Sequence, residues 1–273
     1  MQYAELKQAY DRLVQENIFL RQELERLRTA APPGSSSLST ADKIHLFRSL
    51  FRGREDVYAV RFSNSRTGKS GYVPALTHHG VKPPYRPEDL LPLTDPVIYQ
   101  HFLGRQTIGL YPLLLTEETW LLAVDFDKAD WLQDALAYLN ICRAWEVPAS
   151  LERSRSGNGA HVWIFFDEPV PARLARRLGT RILTAAARHV GHPRLDSYDR
   201  FFPNQDTMPQ GGFGNLIALP LQGQAVPSGN SVFLQDDGTP YPNQWEYLRQ
   251  IRRMPRNSKI SDQRRPVNGK TSD

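Results

Sequence analysis

Residues 121–127, Leu-Leu-Ala-Val-Asp-Phe-Asp, form an apolar run that ends in two carboxylates two positions apart. On a strand, positions i and i+2 share a face, so Asp125 and Asp127 point together while Phe126 points into the opposite layer. Two like charges side by side repel each other. A divalent cation between them removes that cost, because a hard ion such as Mg²⁺ prefers carboxylate oxygens and bridges readily to substrate phosphates. The plainer alternative is an acidic strand end leading into a helix that starts at Ala129.

A second segment, Ser154-Arg155-Ser156-Gly157-Asn158-Gly159-Ala160-His161, combines turn residues with hydrogen-bond donors. Gly157 and the Asn158-Gly159 pair allow positive φ and let backbone amides approach an anion, and Asn-Gly is also a favoured hairpin turn. His161 starts the next strand, where it can reach back over the turn. With Ser156 and Arg155 it makes a donor set suited to a triphosphate. A simple hairpin with a surface histidine is the competing description. A third segment, 195–206, holds Asp196, Asp199 and Asp206 within eleven residues. It offers a third carboxylate, with Asp199 the choice and Asp196 and Asp206 the alternatives. Otherwise it is a polar loop with Phe201 and Phe202 turned into the core.

These segments need elements to position them. Alternation and breakers predict a helix over 41–51, strands over 57–62, 72–74, 120–126, 149–153 and 161–166, helices over 129–145 and 171–190, a strand over 215–219 and a short helix around Trp245. Strands and helices mix without strict βα alternation and without a leading glycine-rich nucleotide loop. That predicts an α+β fold with a largely antiparallel sheet and argues against Rossmann and P-loop domains. Trp120, Trp131 and Trp163 sit in periodic segments and are expected to pack. His78-His79 is expected in a loop. Arg52 and Arg54, beside Phe51, are candidates for nucleic-acid contact, with surface ion pairs as the alternative.

Upstream, Leu6, Leu13, Leu20 and Leu27 recur every seven residues, with Tyr3, Tyr10, Asn17 and Leu24 on the companion seam. Asn17 at an a position, and Glu16 and Glu23 at g facing Arg21 and Arg28 at e, favour a parallel homodimer through residues 3–28. An amphipathic helix packed on its own domain is the alternative. The expected organisation is a coiled-coil helix over 1–29, a flexible linker over 30–40, a catalytic domain over 41–248 and a basic, disordered tail over 249–273.

The three motifs together resemble the archaeo-eukaryotic primase superfamily, the primase-polymerases. Asp125 and Asp127 match its acidic strand motif, Ser156 through His161 its glycine turn ending in His, and Tyr198-Asp199 its hydrophobic-Asp motif. The turn is also similar to that of the polymerase domain in bacterial end-joining ligases. Residues 46–54, 108–113 and 198–206 look closer still to the primase domain of TOTE conflict systems and related CRISPR-associated primase-polymerases, over about 42–225. The resemblance implies a primase-polymerase core with an RRM-like sheet. It also implies nucleotidyl transfer with Mg²⁺ or Mn²⁺ held by Asp125, Asp127 and Asp199. Ser156, His161 and Arg155 would clamp the phosphates of an NTP or dNTP while amides at Gly157 and Gly159 complete the cradle, and the partner would be a DNA or RNA primer-template. Relatives continue into a helicase and nuclease, so any helicase is expected to be separately encoded or absent. Some carry a zinc element that one cysteine cannot supply, which favours primer extension over initiation.

Composition narrows the alternatives. The 273 residues carry a net charge of +5 and one cysteine, Cys142, which excludes an internal disulfide and a cysteine-based zinc site. No run approaches the ~18 apolar residues of a membrane span, and no signal-peptide pattern opens the chain, so a cytoplasmic protein without membrane contact is expected. Residues 249–273 hold eight Lys/Arg against two Asp/Glu, so the basic excess lies in the tail, where it assists polyanion binding without reading sequence. A two-metal nuclease or phosphohydrolase, or a dimeric nucleic-acid-binding module without catalysis, would use the same features.

Overall fold

The computed structural model describes residue 7 and residues 38–78, 80–191 and 194–256. The chain divides into two compact units, 1–40 and 41–273. The expected heptad helix and most of the expected linker lie outside the described residues, as does His79. In chain order the elements are α1 (Thr40–Leu50), β1 (Ala59–Ser63), β2 (Ser70–Pro74), α2 (Asp95–Phe102), β3 (Ile108–Leu110), β4 (Glu118–Asp127), α3 (Trp131–Ala144), β5 (Ser150–Arg153), β6 (Gly159–Pro171), α4 (Ala172–His189), β7 (Tyr198–Phe202), β8 (Ile217–Ala218), β9 (Val232–Phe233) and α5 (Gln244–Gln250).

The strands form two sheets, β2-β1-β3-β8 and β7-β4-β6-β5-β9, in which every strand pairing is antiparallel. Strand alternation sorts side chains between two cores. Leu122, Val124 and Phe126 of β4 and Val162, Ile164 and Phe166 of β6 join Tyr138 of α3 and Ile182 of α4 in one cluster. Leu121 and Ala123 of β4 and Trp163 and Phe165 of β6 join Phe47 of α1, Ile98 of α2 and Ile108 of β3 in the other. Each fully buried side chain of this size contributes about 1.5–3 kcal/mol of apolar burial. The middle of β4 and β6 is therefore apolar on both faces, and Asp125, Asp127 and His161 mark the end of the sheet beside the 154–159 turn.

Several expectations change. The expected antiparallel architecture is present, divided into two sheets, with β1, β2, β3 and β8 pairing among themselves and not with β4. The strand expected over 215–219 shrinks to Ile217–Ala218. Asn215 instead ties two loops, donating to the Phe201 carbonyl at 2.9 Å and accepting from the Asn204 amide at 3.1 Å. The expected tail boundary at 249 is too early: Met254 bridges Phe166, its amide donating to the Phe165 carbonyl at 2.7 Å, and the Arg256 amide donates to Asp167. Among the described residues no helix is long and apolar enough to cross a membrane.

Candidate active site

The end of β4 is fixed by its neighbours on both sides. Asp125 lies opposite His161 of β6 and Arg200 of β7, and Asp127 lies opposite Gly159. With Phe126 fully buried against the helices, both carboxylates fall on the other face. Lys128 and Asp130 follow with φ of 74° and 64°, left-handed conformations that turn the chain into α3 within three residues. Burial pushes the Asp125 carboxyl up; His161 pulls it back, and the charges of Asp199 and Asp127 push it up further. Asp125 thus feels the charge of both other carboxylates.

Behind Asp125 lies a buried polar array. Glu152, on β5, accepts from the Trp163 indole N–H and from His161 Nδ1, each at 2.8 Å, through the same carboxylate oxygen. Nε2 of His161 stands 3.7 Å from Asp125 Oδ1, too far for a hydrogen bond. Burial alone would lower the His161 pKa, but the charge and hydrogen bond of Glu152, together with the Asp125 charge, outweigh it and raise it. The ring is thus biased toward the imidazolium form, held from behind, with its Nε2 edge turned toward the acidic strand end.

The turn that precedes β6 differs from the expected Asn-Gly hairpin. Gly157, not Asn158 or Gly159, takes positive φ, at 82°. Gly159 belongs to β6, and a Cβ there would come 2.6 Å from the Phe126 carbonyl oxygen, so the glycine is needed for close strand approach. The expected amide cradle is also altered: the Gly157 amide donates to the Ser154 carbonyl at 3.0 Å and the Asn158 amide to Ser156 Oγ at 3.3 Å. Closing the turn takes up these N–H groups. Ser156 Oγ also lies 3.1 Å from Ser154 Oγ, and Arg155 stands beside Tyr72 of β2, with Arg61 of β1 nearby.

The three acids of the third segment separate clearly. Asp196 pairs with Arg194 at the surface, and Asp206 pairs with Arg176 of α4. Asp199 sits at a bulge, because β7 pairs Arg200 with Asp125 but Tyr198 with the adjacent Phe126. Ser197, just before it, is pinned to α3 by two bonds to Asp134 Oδ2, at 3.0 and 2.7 Å. Asp199 accepts from Arg200 Nε at 2.5 Å. That bond, with the charges of Asp199, Asp125 and Asp127, holds the Arg200 pKa above its ordinary value. Among the described residues no three His, Cys, Asp or Glu side chains close into a preformed ion cage. Asp127 Oδ1 is nevertheless buried without a hydrogen-bond partner, with only Lys128 Nζ at 3.9 Å. A buried, unpaired carboxylate oxygen beside two further acids fits a hard divalent cation.

Arg52 and Arg54 have internal partners. The Arg52 guanidinium lies 3.1 Å from the centroid of the Trp120 ring. Arg54 is buried, forks onto Asp56 through Nε and Nη2, and lies over Phe213. Two residues of the site were not singled out from sequence, Glu152 and Arg200. A register count would have found the first: pairing outward from the turn sets Arg153 against Ala160 and Glu152 against His161.

An α+β domain whose central antiparallel sheet gathers acidic side chains beside a carboxylate-held histidine is now defined. Residues 42–261 match the family described as TOTE conflict system, Archaeo-Eukaryotic Primase domain, and the chain belongs to that family. Nucleotidyl transfer is the general chemistry that membership carries. Among solved structures, the polymerase domain of Mycobacterium tuberculosis ligase D in complex with DNA is similar, at 13% identity and a TM-score of 0.42, over 78% of this chain and 83% of that one. No curated protein matches the chain.

Proposed function

We propose that the protein extends a DNA or RNA primer on a template by nucleotidyl transfer from an NTP or dNTP, with two Mg²⁺ or Mn²⁺ ions held by Asp125, Asp127 and Asp199. The observation that carries this reading is the meeting of Asp125 and Asp127 on one sheet face with Asp199 and His161, together with the orphaned Asp127 Oδ1. When bound, such ions lower the pKa of the primer 3′-hydroxyl and neutralise the triphosphate and the leaving pyrophosphate.

The chain's own residues account for the rest. Asp125 and Asp127 supply hard oxygens on a rigid strand, and Asp199 joins them once its carboxylate leaves Arg200. His161, its pKa raised by Glu152, donates from Nε2 to a phosphate oxygen, where a positioned donor is worth more than in water. Ser156 and Arg155 add donors from the turn, and their side chains do this work because the amides of Gly157 and Asn158 are engaged. The family description names a conflict system, which supports a defence context for this chemistry.

The test is extension of a labelled primer-template with Mg²⁺ or Mn²⁺ and each nucleotide pool, beside Asp125→Ala/Asp127→Ala. We expect extension by the wild type and a loss of at least about a hundredfold in the variant, since the ions supply several kcal/mol of transition-state stabilisation, with an unchanged melting temperature. Absence of extension by the wild type with every pool would overturn the reading, and variant-sensitive shortening of the primer would replace it with a nuclease.

A further inference from the structure

The segment that leads into β9 reaches the 154–159 turn from the side of β5 opposite β6. β9 pairs with β5, Arg153 opposite Val232 and Glu152 opposite Phe233, so residues 229–231 lie level with the turn. Two hydrogen bonds tie them there. The Ser231 amide donates to the Ser154 carbonyl at 3.3 Å, and Arg153 donates from Nη1 to the Gly229 carbonyl at 3.3 Å. The Ser154 carbonyl also accepts from the Gly157 amide at 3.0 Å, so one oxygen joins the turn to the segment beside it. Asn230 stands between these ties.

The backbone on both sides of Asn230 is left-handed, with φ of 72° at Gly229 and 58° at Ser231. Glycine adopts that conformation freely, whereas serine crowds its Cβ against the carbonyl. Ser231 is fully buried and held at every polar atom: besides its amide bond to Ser154, its carbonyl accepts from the Leu221 amide at 2.7 Å and its hydroxyl from the Gln222 amide at 3.2 Å. The Asn230 amide in turn donates to the Ala225 carbonyl at 3.2 Å. Backbone strain persists only where the surroundings over-determine it, and it gathers at functional positions. The side chain so placed rests against the turn. A Cβ at Gly157 would come 2.7 Å from Asn230 Oδ1 and 2.9 Å from its Nδ2, so the carboxamide fills the space that a side chain at 157 would take. Gly157 itself, at φ 82°, has the widest backbone freedom in the turn and directly follows Ser156.

We propose that Asn230 is a positioning residue: its carboxamide wedges against Gly157 and holds the turn in the arrangement that presents Ser156 and Arg155 to the triphosphate. This rests on the reading of the site as a nucleotidyltransferase, and brings the segment before β9 into it. The wedge acts by shape. Donors fixed before the nucleotide arrives bind ground state and transition state alike, so loosening them raises KM and spares kcat.

The experiment compares the full-length wild type with Asn230→Ala, which removes the wedge, and Asn230→Leu, which keeps its branched shape without its polarity. Primer extension over a nucleotide-concentration series gives kcat and KM, and hydrogen exchange gives the protection of amides 155–160. In Asn230→Ala we expect KM for the nucleotide to rise about fivefold with kcat within about twofold. Exchange at the turn should quicken about tenfold, with a melting temperature within about 2 °C of the wild type. Asn230→Leu should restore both KM and protection. Unchanged KM and exchange in Asn230→Ala would overturn the proposal, as would a joint fall in kcat and melting temperature, which marks a general structural role. Failure of Asn230→Leu to restore them would overturn it too, by assigning the side chain a hydrogen bond in place of a wedge. The two readings separate cleanly: a wild type that extends no primer removes the polymerase reading, while exchange at the turn in the two variants still decides for or against the wedge.

Discussion

Glu152 raises the His161 pKa against the opposing effect of burial. Its carboxylate is 1% exposed and has two donors on one oxygen, so the pair is a buried ion pair whose members depend on each other. Glu152→Gln keeps the shape and the Trp163 bond but removes the charge that raises the histidine, leaving burial to lower it. In nucleotide-concentration series at several pH values, the rise in KM on the alkaline side should begin at lower pH in the variant than in the wild type. Stability gives a second readout with a defined sign. Because His161 is raised above its ordinary 6.5 in the folded chain, the pair stabilises fully below that value and the contribution fades as pH climbs through the raised one. The gap in denaturant midpoint between wild type and variant should be widest in mild acid and close at alkaline pH. A pH-independent gap would assign Glu152 to packing alone.

At the scale of elements, the site depends on how closely β4 and β6 approach. Gly159→Ala would put a methyl against the Phe126 carbonyl, a backbone atom that cannot move without disturbing the strand pairing. The expected cost is about 2 kcal/mol, or roughly 4–8 °C in melting temperature for a unit of this size, with loss of extension as Asp127, opposite Gly159, is displaced. β4 and β6 were legible in the sequence because each runs long enough for alternation to declare itself, and α4 because its apolar stripe is regular. β7 was not: Asp199 and Arg200 are consecutive polar residues and Phe201 and Phe202 consecutive apolar ones, one serving each core, so the strand shows no alternation. β3, β8 and β9 are two or three residues long and carry no period at all. The acids of β4 could be read from spacing. Glu152 could be read only by counting register across the hairpin, because a lone acid in a strand otherwise looks solvent-facing. Arg54 reads as a surface arginine for the same reason, its partner Asp56 being the feature that lets it be buried.

For the whole molecule, four adjacent strands of one sheet carry the residues of the proposed site: β7 Asp199, β4 Asp125 and Asp127, β6 His161 and β5 Glu152. The heptads upstream add a prediction at this scale. If residues 3–28 pair two chains, the full protein sediments as a dimer, and removal of residues 1–30 halves its mass while primer extension persists. An unchanged mass after the deletion would remove the homodimer.

The bulge in β7 makes chain length, and not only residue type, part of the site. Since Asp199 faces no β4 residue directly, loss of one residue between Tyr198 and Phe201 would straighten the strand and present a different side chain beside Asp125. A library that varies this stretch by substitution alone samples acids of different reach at one address. A library that varies it by single insertions and deletions changes the address itself, and would separate the requirement for a carboxylate from the requirement for its place.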